Sequence, residues 1–223
     1  MGILKQVFAL TGWGTLAGAG SLAFYTRKSK IMALPTSDYL YNTTFYSRLN
    51  PHLNPTMNDI CIRKVPMSSI KDEYLKDEGK LAEKFCAGIW STWGFAIQRR
   101  YLERKYRDQT PEQLWDVKDL AENKYEVGTY ITDHFEVINK TPESVVVRCG
   151  DSPRVQQPRA SDGVFEMVAI PDKANGEVEF QLKSIFFNAE TQSQNKPVPF
   201  HIEVAHRWYT KLWMESAIRS LTK

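Results

Sequence analysis

Six polar side chains in the C-terminal half are of types that move protons or grip a polar ligand group: His134, Arg148, Asp151, Asp162, His201 and His206. A histidine beside an aspartate in an apolar cavity can act as general acid and base, because desolvation and a carboxylate neighbour tune imidazole across neutral pH. On that ground His134, Asp151 and His206 are the catalytic candidates. Each histidine also has a plain structural reading. His134 stands between Asp133 and Phe135 and can face solvent, while His206 falls in the first turns of an amphipathic helix, where water or a core hydrogen bond satisfies it. Trp90, Trp93, Trp208 and Trp213 supply rigid apolar area that lines a pocket for a flat hydrophobic ligand or else fills a core. The ligand-binding candidates are therefore Trp90, Trp93, Arg148, Trp208 and Tyr209.

Other chemistries lack their usual residues. The chain has no GxGxxG after a strand, no GxxxxGK[ST], no GxSxG and no HExxH. Cys61, Cys86 and Cys149 form no CxxC pair and have no histidine at ligand spacing, so neither a metal site nor a cofactor is expected. They read as three buried reduced thiols, with one disulfide and a spare thiol as the alternative.

The elements that would hold these residues follow from period and punctuation. Asp59 to Val65 alternates apolar and polar residues and stops at Pro66, as a short strand does. Ser69 and Asp72 resemble a capping box opening a helix through Ile70, Tyr74, Leu81 and Phe85. A second helical run spans about residues 88–106, and Thr110-Pro111 opens a short third helix to about Glu122. Beyond it the period changes to two, giving strands at 129–138, 144–149, 164–170 and 177–188 in an antiparallel meander. Residues 203–221 form a helix with a broad apolar face, and the sheet is the surface available to cover it. The expected fold class is α+β: an antiparallel sheet of about five or more strands gripping a long C-terminal helix, with two to three helices near the domain N-terminus and one transmembrane helix before it.

This order of strand, helices, meander and long last helix resembles the helix-grip fold of the START-like, polyketide-cyclase-like lipid-binding superfamily. Gly150-Asp151 before the third strand of the domain and His206-Arg207-Trp208-Tyr209 opening the last helix add local likeness, and the resemblance covers about residues 59–221. It implies a curved sheet around the helix and an apolar cavity between them for a lipid, sterol, isoprenoid quinone or polyketide. Some members of such a superfamily only carry ligands and others catalyse cyclisation or dehydration, so chemistry stays open.

Residues 7–25 carry no charge for 19 positions, enough at about 1.5 Å per residue to cross a hydrocarbon core of about 30 Å. Lys5 precedes the run and Arg27, Lys28 and Lys30 follow it, which predicts a domain on the cytosolic side, or the matrix side of a mitochondrial inner membrane. A retained anchor, a secretory signal cleaved near Ala17-Gly18-Ala19 and a mitochondrial presequence-anchor all fit this segment. Gly14 and Gly18 form a GxxxG that would let a partner helix approach. Residues 1–30 read as the anchor, 31–58 as an aromatic, proline-containing linker and 59–223 as the domain.

The first 30 residues hold four of the 29 basic side chains and none of the 26 acidic ones, leaving the rest at −1. Such a domain lacks the positive footprint of a nucleic-acid binder. Arg99, Arg100, Arg104 and Lys105 are nonetheless concentrated on one helix, where they would meet anionic head groups or simply solvent. The leading expectation is membrane-tethered binding or transfer of a hydrophobic small molecule. An enzyme of lipid or secondary-metabolite synthesis using the cavity His and Asp is the alternative, and a membrane-associated assembly factor is a third class.

Overall fold

The structure, a computed structural model, describes Gly18 and residues 20–223. Most of the expected anchor, Gly14 included, lies outside the described residues. Among the described residues no helix is long and apolar enough to cross a membrane.

Residues 20–25 are helical and lead into β1 (Lys30–Met32), α1 (Thr44–Leu49) and β2 (Met57–Pro66). Three helices follow: α2 (Lys80–Ser91), α3 (Trp93–Tyr106) and α4 (Val117–Glu122). Then come β3 (Tyr130–Ile131), β4 (Phe135–Lys140), β5 (Ser144–Gly150), β6 (Asp162–Asp172), β7 (Glu177–Phe187) and α5 (Phe200–Leu221). The strands form one sheet ordered β1-β2-β7-β6-β5-β4-β3, antiparallel throughout. The fold is thus α+β, with an antiparallel sheet, helices before the meander and a long C-terminal helix.

Four boundaries differ from the sequence reading. Ser69 and Asp72 belong to two short 3-10 turns, and α2 starts only after Gly79, whose φ of 80° a side chain would resist. The two helical runs meet at Thr92, which is extended (φ −89°, ψ 173°) and turns the chain between α2 and α3. The segment after Thr110 forms turns, with helix only from Val117. The first meander strand is two strands, because Thr132 and Asp133 take left-handed conformations (φ 49° and 57°) and reverse the chain.

The sheet is covered on both faces. One face packs on α2 and α5 through residues such as Cys61, Val147, Phe165 and Leu182. The other buries Val146, Val164, Ile185 and Phe187 against Leu34, Leu40 and Tyr46. The stretch 31–58, read as a linker, is therefore folded onto the sheet. Lys183 of β7 fastens it, lying 3.0 Å from Asp38 Oδ2 and 3.1 Å from Glu166 Oε2, while the Tyr39 hydroxyl donates to Glu166. Buried charges persist only when paired in this way.

On the helix side the core closes around Trp90, 1% exposed, whose ring meets Phe95, Phe135, Phe165 and Trp213 at centroid distances of 4.6–6.3 Å. Close helix contact permits this. A Cβ on Gly88 would lie 3.2 Å from the Ala217 backbone, so α2 and α5 approach as near as bare glycine allows. Trp90 is a core residue. Trp90→Ala should lower unfolding free energy by about 3–5 kcal/mol, whereas Trp208→Ala on the exposed side of α5 should change it by less than about 1 kcal/mol. Urea denaturation of the two variants checks the contrast, and equal losses would contradict it.

Candidate functional site

The core cluster thins at one edge, between the sheet and the first half of α5, and leaves a pocket of about 170 Å3. Its apolar walls are Phe135, Phe165, Phe186 and Trp213, and its polar margin is Gln98, His134, His206, Tyr209 and Thr210. A larger hollow of about 560 Å3 around Lys64, Asp172 and Glu179 is open and charged, whereas the smaller pocket is mostly apolar and more enclosed.

His134 reaches the pocket from the tight β3–β4 turn. That turn is pinned from outside: the Asp133 amide donates to Gln113 Oε1 at 2.6 Å, and the buried Asp133 carboxylate accepts from Ser152 Oγ at 2.8 Å and from Arg154. Two consecutive non-glycine residues in left-handed backbone are costly, and the surrounding bonds hold them there. The His134 ring lies 5.0 Å from that of Tyr106, and its Nδ1 is buried without a partner among the described residues. Burial holds its pKa below the ordinary 6.5, against the opposing pull of Asp133 and Asp151.

His206 reaches the same pocket from α5. Its Nε2 lies 3.3 Å from Oδ2 of Asp59 and 3.2 Å from Thr210 Oγ1. Asp59, on β2, is fully buried, and no donor meets either oxygen at full hydrogen-bond geometry. A carboxylate buried there is costly without a partner, and the His206 ring is the group that stands beside it. Nε2 is thus the ring nitrogen on the Asp59 side, and Nδ1 is the other.

Two further groups complete the wall. The Tyr209 hydroxyl and Trp213 Nε1 are buried with no partner at full hydrogen-bond geometry, and burial pushes the Tyr209 phenol up to about 12 against a weaker opposing pull from the neighbouring Trp213 N–H. Ser184, across from Asp59 in the β2–β7 register, has an unpartnered hydroxyl as well. Each such atom forfeits about 1–3 kcal/mol unless something bonds it. A bound oxygen-bearing molecule or ordered water would recover that loss.

Of the residues expected from sequence, the structure brings His134, His206 and Tyr209 to one pocket. Asp151 is exposed in the loop after β5 and accepts from the Ser161 amide, acting on His134 only through its charge. Arg148 lies on the opposite face of the sheet in a buried two-pronged pair with Asp162 (2.9 and 2.5 Å), so it cannot serve this pocket. Trp93 and Trp208 are exposed and His201 faces solvent. Trp213 lines the pocket in their place. Arg99 turns inward to the Trp115 carbonyl at 3.1 Å and pairs with Glu103, leaving Arg100, Arg104 and Lys105 exposed. Asp59 was missed. Its only signal was a carboxylate in phase with Cys61 and Val65 on β2, a strand whose isoleucines pointed to the other face.

All three cysteines are free and buried. Because the folded His134 binds its proton less readily than the unfolded chain does, stability should be unaffected above the ordinary imidazole range and fall as pH drops through 6.5 toward the lower folded value. Urea midpoints for wild type and His134→Gln across this range should show the extra acid-side loss in wild type alone; parallel curves would contradict the burial of a neutral ring. The chain finds no match among protein-family models, curated proteins or solved structures.

Proposed function

We propose that this chain binds a small, mostly apolar molecule carrying an oxygen acceptor, held between the sheet and the last helix. The observation that carries this reading is an apolar pocket whose walls hold buried polar atoms without partners. Its size narrows the ligand class. A dry cavity of roughly 150 Å3 takes benzene, while drug-sized ligands use about 300–1,000 Å3. At about 170 Å3 the pocket suits one substituted ring or the head of a longer chain, not a whole sterol. The likeness in element order to the helix-grip superfamily supports the location, since that arrangement binds its ligands between sheet and C-terminal helix. An N-terminal anchor would keep the pocket near a bilayer into which such molecules partition.

Trp213 Nε1 donates only, and the Tyr209 hydroxyl can donate, which favours a carbonyl or phenolic oxygen on the ligand. In a thermal-shift panel of monocyclic phenols and aryl ketones, at least one member should raise the melting temperature. Tyr209→Phe should weaken its binding about five- to tenfold, the loss of one hydrogen bond. If no panel member shifts the transition and native mass spectrometry of purified protein finds no small molecule, the reading fails.

A second reading, proton transfer on the bound molecule, is favoured by the His206–Asp59 pair alone. His206 Nδ1 would take a proton from an acidic C–H or O–H of the ligand while Asp59 steadies the imidazolium. A bound ketone incubated in heavy water should then exchange its α-protons with wild type and not with His206→Gln. Equal exchange in the two would leave binding as the sole role.

A further inference from the structure

We propose that the exposed face of α3 lies on the surface of a lipid bilayer that bears anionic head groups. Trp93, Ile97 and Tyr101 recur every four residues and so form one straight stripe, 53%, 85% and 55% exposed. Scattered apolar residues on a surface are ordinary, but three aligned ones including two interfacial aromatics are a patch. The stripe continues into Arg100, Arg104 and Lys105, and the Lys105 ammonium sits 4.7 Å from the centre of the Tyr101 ring. These three cations have no carboxylate partner among the described residues, whereas Arg99 and Arg107 on the flanks take Glu103 and Asp116. From Trp93 to Lys105 the stripe is about 18 Å long at helical rise, grading from apolar to basic.

What covers this face follows from where the chain enters the domain. The uncharged run 7–25 ends at Tyr25, whose ring lies 5.5 Å from that of Trp93, at the apolar end of the stripe. Phe24 beside it is 67% exposed and Arg27 stacks over it, so the point of entry carries the same mixture of apolar and basic groups. A run long enough to enter a bilayer therefore delivers α3 to the membrane surface with its aromatic end nearest the entry point and its cations set to meet head-group phosphates. This orientation is independent of what the pocket binds, although α3 also supplies Gln98 to the pocket margin.

The test uses the full chain reconstituted in phosphatidylcholine vesicles with and without phosphatidylserine. The native cysteines are buried, so Ile97→Cys on the exposed stripe can be spin-labelled selectively, with Lys173→Cys in the exposed β6–β7 turn as the reference. In phosphatidylserine vesicles the label at 97 should be more accessible to oxygen and less to a water-soluble nickel chelate than the label at 173. Each basic side chain should shift the docked population about fivefold, so reversing Arg100, Arg104 and Lys105 to Glu should return label 97 to water while the anchor keeps the chain on the vesicle. Equal accessibility at 97 and 173, or insensitivity to charge reversal and to phosphatidylserine, overturns the proposal. Protection of label 97 without vesicles overturns it too, since the face would then be covered by the chain's own N-terminal segment or by a second copy.

Discussion

Trp90 meets four aromatic rings at once, and these come from α3, β4, β6 and α5. A single indole thus decides how far apart sheet and helices can stand. Because its indole N–H points to Cys86 Sγ at 3.3 Å, the donor is also met locally within α2. The interior beneath α2 is consequently filled. Space survives where the cluster ends toward the first half of α5, and Phe135, Phe165 and Trp213 belong to both the cluster and the pocket wall. The pocket and the core therefore share side chains, and the size of the pocket is a consequence of the packing around Trp90.

Periodicity made the long elements legible. The strands from Ser144 onward and the last helix fall within three residues of their expected limits, because an antiparallel hairpin and an amphipathic helix are local patterns. What escaped was set by tertiary context. Thr132 and Asp133 contain no glycine or proline to announce a turn, yet Gln113, Ser152 and Arg154 hold one there. Thr92 likewise divides two helices with no breaker at the break, where its hydroxyl meets Ser216 Oγ at 3.0 Å. Tyrosines and prolines between 31 and 58 suggested a tether, and only the polar anchor point at Lys183 shows why they fold back on the sheet.

The same context explains which candidate residues reach the pocket. His206 and Tyr209 follow from the helix register, since α5 can turn only one side to the sheet. Arg148 could not be placed from sequence: β5 is apolar on both faces, and alternation says nothing when each side is covered. Its partner Asp162 lies on the next strand, across a polar loop that gives no register. The four tryptophans divide for a related reason: Trp90 is core, Trp213 lines the pocket, and Trp93 and Trp208 are exposed. Helical spacing fixes which residues share a side but not which side faces in, and Trp93 and Trp90 leave their helices in opposite senses.

Most of this chain obeys the ordinary rules, pairing its buried charges and filling its core, so departures are informative. Among the described residues twelve buried side-chain polar atoms lack a hydrogen-bond partner, and seven of them belong to Asp59, Thr132, His134, Ser184, Tyr209 and Trp213. The two consecutive left-handed residues precede His134 at the same edge. A buried carboxylate is a poor stabiliser, since well-packed apolar residues serve a core at least as well. Strained backbone is no better. Stability alone accounts for neither, and the residues beside them, His206 next to Asp59 and His134 after the strained turn, both line the small apolar pocket at that edge of the sheet.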